Sequence, residues 1–156
     1  MERVLRQTLR GGKFNNVSGT RSSTMAAIRG KRNRTTELRV QMEFVRQRIS
    51  GFVLNAKGLP GSPDFWFKKA KIAVFVDGCF WHGCPCCGRT PKKNVDYWKT
   101  KISRNRNRDR RTNKRLRAAG FCVIRAWECR IRSREGLQRF VSRLCRYLLL
   151  RGNIGF

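Results

Sequence analysis

Within eleven residues, Asp77-Gly78-Cys79-Phe80-Trp81-His82-Gly83-Cys84-Pro85-Cys86-Cys87, the chain places four of its seven cysteines and its single histidine around two adjacent aromatics. Thiolates and imidazole are the donors that hold zinc, and imidazole is also the side chain able to take up a proton near neutral pH. The stretch directly follows a strand-like run, Lys71 to Val76, so this chemistry sits in a loop at a strand's end. Four thiolates close a tetrahedral structural site without any histidine. Cys79, Cys84 and Cys86, spaced Cys-x4-Cys-x-Cys, with Cys129 after a later strand, would supply them and pin the loop to the strand over Phe121–Trp127. In that arrangement His82 is left as a general base. The competing arrangements are a mixed shell with His82 as a ligand, and reduced cysteines holding no metal.

The chain has nine acidic residues, few enough to weigh one by one. Asp64 follows Pro63 at the start of a strand, where the stiff proline aims its carboxylate at the sheet edge; a turn-capping aspartate is the alternative. Asp109 is the lone acid among ten basic residues between Lys99 and Arg117. Trp98, Ile102, Asn105, Asp109, Thr112 and Leu116 recur every three or four residues, which places Asp109 on the inward stripe of a helix. An inward carboxylate needs a partner or a titrating role, and a buried arginine would satisfy it as well as a histidine. Asp77 and Cys87 are further candidate metal ligands. Phe80 and Trp81 are either core or wedges that enter a base stack beside a basic groove.

These residues must be positioned by a small number of elements. A chain of 156 residues with 40% hydrophobic content suits one domain with one ordinary core. The formal net charge of +28, from 37 Lys+Arg against 9 acids, predicts a polyanionic partner, with nucleic acid first. No apolar run reaches spanning length and Met1 to Lys13 lacks the apolar centre of a signal peptide, so no membrane association and a cytosolic setting are expected, where cysteines stay reduced. The basic, Gly- and Ser-rich start reads as a flexible arm. After Thr35-Thr36, which suit a helix cap, Leu38, Met42, Val45 and Ile49 form an apolar stripe at helical spacing. Phe52–Leu54, Asp64–Phe67 and Ile72–Val76 read as strands, Tyr97–Ala119 as a long basic helix, Phe121–Trp127 as a further strand, and Ser133–Arg151 as a helix burying Leu137, Val141, Leu144 and Leu148. The expected fold is α/β, one domain with a central mixed sheet flanked by helices.

Five blocks in order, Gly58-Leu59-Pro60-Gly61-Ser62-Pro63-Asp64-Phe65, the Asp77–Cys87 segment, Tyr97-Trp98, Arg108-Asp109-Arg110-Arg111 and Val123-Ile124-Arg125-Ala126-Trp127-Glu128-Cys129, closely resemble the very-short-patch-repair (Vsr) DNA mismatch endonucleases. The resemblance covers residues 19–156 and leaves 1–18 as the basic arm. It implies a restriction-endonuclease-like fold and Mg2+-dependent nicking of one strand at T·G mismatches left by deaminated 5-methylcytosine. It further implies that Asp64 and the backbone carbonyl of Val76 hold Mg2+, that His82 activates water with Asp109 bonded to it, and that Glu37 is an accessory acid. Cys79, Cys84, Cys86 and Cys129 would bind structural Zn2+, and Met25, Phe80 and Trp81 would enter the DNA stack. The implied partner is double-stranded DNA carrying a T·G mismatch, together with mismatch-repair proteins, for a monomer on the nucleoid of a prokaryotic cytoplasm. Val76 stands where relatives often carry Thr, and Cys84 where some carry His, which turns a mixed zinc shell into an all-sulfur one. Two other functions fit parts of the sequence: a zinc-stabilised nucleic-acid-binding protein without activity, and a nuclease of the same fold with another sequence preference.

Overall fold

The apolar run after Lys71 becomes the central strand of the molecule, and its alternation decides what lies on each side. The computed structural model describes residues 34–88 and 92–151, with two short antiparallel strands, β1 (Leu9–Arg10) and β2 (Lys13–Phe14), ahead of them. Apart from those strands, the arm over residues 1–18 lies outside the described residues, as does Met25. Helix α1 (Arg34–Arg46) leads into β3 (Phe52–Leu54), β4 (Phe65–Phe67) and β5 (Ile72–Asp77). Helix α2 (Val95–Ala118), β6 (Cys122–Trp127) and helix α3 (Arg134–Leu150) follow.

The four strands form one mixed sheet in the order β3-β4-β5-β6. The first two pairings are antiparallel, while β5 and β6 run parallel in the register Asp77↔Trp127. A parallel pair needs a crossover, and α2 provides it. Residues alternate between the two faces of a strand. Ile72 and Val74 of β5, with Ile124 and Ala126 of β6, therefore meet Val40 and Phe44 of α1 and Phe140, Val141, Leu144 and Leu148 of α3 in the main core. The opposite face carries Ala73 and Phe75 against Leu116 of α2, with Val123 and Phe121 alongside. The α/β architecture with a mixed sheet between helices agrees with the sequence reading.

The buried side of α1 does not. Leu38, Met42 and Val45, expected inward, are 52%, 63% and 66% exposed, while Val40 and Phe44 are fully buried and Ile49 packs at the core's margin. Aromatic packing decides the rotation. The ring of Phe44 meets Phe52, Phe65 and Phe67 edge-on at centroid distances of 5.0 to 5.9 Å. A pocket built of three rings selects the phenylalanine over aliphatics at the same spacing. Helix α3 buries the expected face, and its N-cap Ser133 accepts a hydrogen bond from the backbone N–H of Gly136 at 3.0 Å. Among the described residues no helix is long and apolar enough to cross a membrane.

Candidate active site and thiol cluster

Alternation along β5 puts Asp77 on the same face as Ala73 and Phe75, towards α2. Across that interface lies Asp109, on the half-buried stripe of α2 that also includes Ile102, Asn105 and Thr112. The loop that follows β5 folds back so that His82 reaches both. Its backbone N–H donates to the Gly78 carbonyl at 3.2 Å, and Asn105 Nδ2 donates to the Trp81 carbonyl at 2.9 Å, tying the loop to the helix. Gly83 makes the approach feasible. Its φ is +62°, and a Cβ there would lie 2.7 Å from Ile102 Cγ2.

The result is a chain of charged groups. His82 Nδ1 lies 2.6 Å from Asp109 Oδ2 and 3.7 Å from Asp77 Oδ1. A carboxylate only accepts, so Nδ1 carries the proton in the neutral ring and Nε2 presents the lone pair. Burial alone would push the Asp109 carboxyl up. The hydrogen bond from His82 and the charge of Arg125 outweigh that effect and hold it below the usual carboxylate range. Arg125, projecting from β6, donates to Asp77 through Nε at 2.5 Å and Nη2 at 2.8 Å. The same Nη2 is 3.4 Å from Asp109 Oδ1, and Nη1 donates to Asn113 Oδ1 at 3.1 Å. Asp77, a candidate metal ligand by sequence, has both oxygens taken up by this guanidinium fork. Asp109 meets both the partners that its inward position allowed, a histidine and an arginine.

Asp64 arrives from the other side. Pro63 is fully buried, and the Asp64 carboxylate accepts the Val76 backbone N–H at 2.7 Å, one residue before Asp77. Two successive residues at the end of β5 therefore hold Asp64 and, through Asp77, His82. Gly61 of the preceding turn packs so closely on Thr112 of α2 that a Cβ would come within 2.5 Å of its methyl. Glu37 lies in the first turn of α1 and is half-buried.

Phe80 and Trp81 are half-buried members of an aromatic cluster with Trp98 and Tyr97 of α2. Ring centroids are 5.0 Å apart for Phe80–Trp81 and for Phe80–Trp98, and 5.8 Å for Trp81–Trp98. The Lys101 ammonium stands 5.5 to 5.8 Å from the Trp81, Tyr97 and Trp98 rings. The sequence puts Trp98 on the inward stripe and in a block shared with the Vsr family, and its tie to this pair comes from tertiary packing.

Behind the same loop the sulfurs of Cys79, Cys84, Cys87 and Cys129 all lie within 4.8 Å of one another, with Cys84 and Cys129 at 3.6 Å. Tetrahedral zinc with Zn–S bonds of about 2.3 Å requires sulfurs about 3.8 Å apart, so this donor set fits a thiolate-bound metal ion. The fourth member is Cys87, not the expected Cys86. Both residues are exposed, but Cys86 accepts a hydrogen bond from Arg130 Nη2 at 3.0 Å, while the turn closed by Gly88 N–H donating to the Cys84 carbonyl brings the Cys87 sulfur to the other three. Burial pushes the Cys79 thiol well above its ordinary value and Cys129 up to about 11. Burial also acts on Cys84, but backbone N–H groups of Cys87 and Cys86 reverse it and bring the thiol down to about 7. The Cys129 N–H donates to Cys79 Sγ at 3.2 Å, the kind of support that outer partners give to ligating sulfur.

Residues 16–88 match the family model described as DNA mismatch endonuclease Vsr. The DNA mismatch endonuclease Vsr of Escherichia coli is 38% identical over 119 residues, covering 76% of this chain and 75% of that protein. The chain belongs to the Vsr family. Type II nicking enzymes are similar over shorter stretches. V.XorIIP of Xanthomonas oryzae pv. oryzae is 46% identical over 81 residues, 51% of this chain and 60% of the relative. V.NaeI of Lentzea aerocolonigenes is 51% identical over 71 residues, 46% of this chain and 43% of the relative. The chain thus spans about half the length of these two nicking enzymes. The Vsr match takes in β3, β4, β5 and the His82 loop, and the longer alignment to the Escherichia coli protein covers three quarters of the chain.

Proposed function

We propose that this Vsr-family protein is a DNA endonuclease that nicks one strand at T·G mismatches in a Mg2+-dependent reaction. The observation that carries the reading is the 2.6 Å contact between His82 Nδ1 and Asp109, which leaves Nε2 as a proton acceptor, while Asp64 accepts the Val76 N–H at the end of β5. His82 takes the proton of the attacking water at Nε2, and Asp109 fixes the ring and stabilises the imidazolium that forms. Asp64 and the Val76 carbonyl supply the hard oxygen donors that Mg2+ prefers, with Glu37 as an accessory acid. When bound, Mg2+ would stabilise the charge that builds on the phosphate. The restriction-endonuclease-like fold fits the mixed sheet, with its acidic residue entering just before β4.

The thiol cluster is the structural Zn2+ site in this reading, with Cys79, Cys84, Cys87 and Cys129 as ligands. Phe80 and Trp81, with Met25, would enter the base stack beside the mismatch. The exposed basic side of α2 would follow the phosphate backbone, for a monomer acting on nucleoid DNA in the cytoplasm with mismatch-repair proteins as partners. Incubation with Mg2+ and a T·G duplex beside its matched control tests the proposal. One nick, confined to the mismatched duplex, is expected. Cutting of both duplexes would favour a nuclease of other specificity, and binding without cutting a non-enzymatic protein.

A further inference from the structure

The mechanism above uses His82, Asp109 and Asp64 and leaves the ion pair of Asp77 and Arg125 without a role. Asp77 is 2% exposed and Arg125 is only 17% exposed along its side chain. A buried ion pair is a weak source of stability, since two apolar residues often serve as well. Its position is more informative. Arg125 emerges from β6 on the face towards α2, and its guanidinium lies over the Phe75 ring at 4.8 Å. The ring and the Asp77 fork on β5 and Asn113 of α2 fix its plane from two elements. The Nη2 so fixed is 3.4 Å from Asp109 Oδ1, while Asp109 Oδ2 holds His82.

We propose that Arg125, locked by Asp77, is a positioning residue for the reaction, which anchors the free end of the Asp109 carboxylate so that its other oxygen holds the His82 ring in register. A carboxylate bonded only to the imidazole can rotate about its Cβ–Cγ bond and swing the ring with it. Bonded at both oxygens by groups on different elements, it cannot. Lysine would not substitute, because it is a point charge without the planar fork that reaches both carboxylates at once. The inference rests on the proposed nuclease reading for its kinetic test, so a second arm is independent of activity.

Removing Arg125 alone would strand the buried Asp77 charge, so the decisive variant is the pair Asp77→Asn with Arg125→Met in the full chain. Cooperative unfolding and KM for the T·G duplex should stay near wild type. The value of kcat should fall roughly fivefold to tenfold, the scale on which small misplacements act. Arg125→Lys should recover only part of it. In an Asp109→Asn background the pair should add nothing, because the group it positions is already altered; losses that multiply would mean that the pair acts elsewhere, and an unchanged kcat would overturn the inference. The single histidine gives the second arm. A ring Nδ1–H resonance protected by Asp109 should be sharp in the wild type and broadened by solvent exchange in the pair variant. An unchanged resonance would overturn the inference whether or not the wild type nicks DNA.

Discussion

The two sides of the Gly78–Cys84 turn solve the same electrostatic problem in opposite ways. On one side Asp77, Asp109, Arg125 and His82 gather two carboxylates around a guanidinium and an imidazole, with the Arg108 guanidinium 3.8 Å from Asp109, so that the carboxylates find their countercharges within the protein. On the other side four thiols meet with sulfurs within 4.8 Å, and burial opposes ionisation of Cys79 and Cys129. The first cluster is complete as an arrangement of side chains. The second becomes favourable once a cation draws the protons off the thiols. Two adjacent sites on one loop therefore differ in what would sustain them, for one internal pairing and for the other, in the reading proposed above, a bound cation.

That contrast can be broken most strongly from the thiol side. Cys129→Ser, or strong chelation, should unfold the loop and abolish activity, because structural zinc contributes on the order of 10 kcal/mol to small folds. Metal analysis with thermal melting checks this, and a stable, active, metal-free protein would dissolve the contrast altogether. Next comes His82→Ala. It should slow nicking about 100-fold, the usual scale of general-base catalysis, while metal content and melting temperature stay near wild type. Loss of metal in this variant would place the imidazole in the thiol site.

Asp109→Asn should slow nicking less than His82→Ala, and it carries a pH signature. Because His82 and Arg125 hold the folded carboxyl below its ordinary value, its contribution to stability is complete above the unfolded value of about 4 and fades as pH falls through the folded value. The part of the stability gap between wild type and Asp109→Asn that comes from this carboxylate should shrink as pH falls below the ordinary carboxylate range. A gap that fails to shrink in that acidic range would contradict the pairing. The smallest effect is expected from Cys86→Ser, which should retain one metal ion per chain, whereas Cys87→Ser should lose it. The reverse result would return Cys86 to the ligand set that its spacing suggested.

These outcomes bear on what the sequence made legible. Asp109 could be placed because it stands alone among bases, so its phase on α2 was unambiguous, and its half-buried neighbours Ile102, Asn105 and Thr112 carry that same phase. On α1 two apolar stripes compete at the same spacing, and the choice falls to rings contributed by β3 and β4, which local periodicity does not contain. Cys86 and Cys87 are adjacent, so only the turn geometry distinguishes them. Arg125 is one of 37 Lys+Arg with no local mark; its meaning comes from lying next to Asp77 across a parallel pairing, in the register Phe75↔Arg125. Met25 falls outside the described residues.

The parallel pairing of β5 with β6 also has a consequence for synthesis. Both clusters draw on residues about fifty positions apart, Asp77 with Arg125 and Cys79 with Cys129, and neither closes without the later partner. A nascent chain that has emerged only through α2 already carries Asp64, His82, Asp109 and most of the basic charge, but not the strand that fixes them. Such a chain can adhere to polyanions well before its hydrolytic groups are held in place. Fragments ending before β6, from stalled or proteolysed translation, would bind nucleic acid without cutting it and would compete with the finished protein for the same substrate.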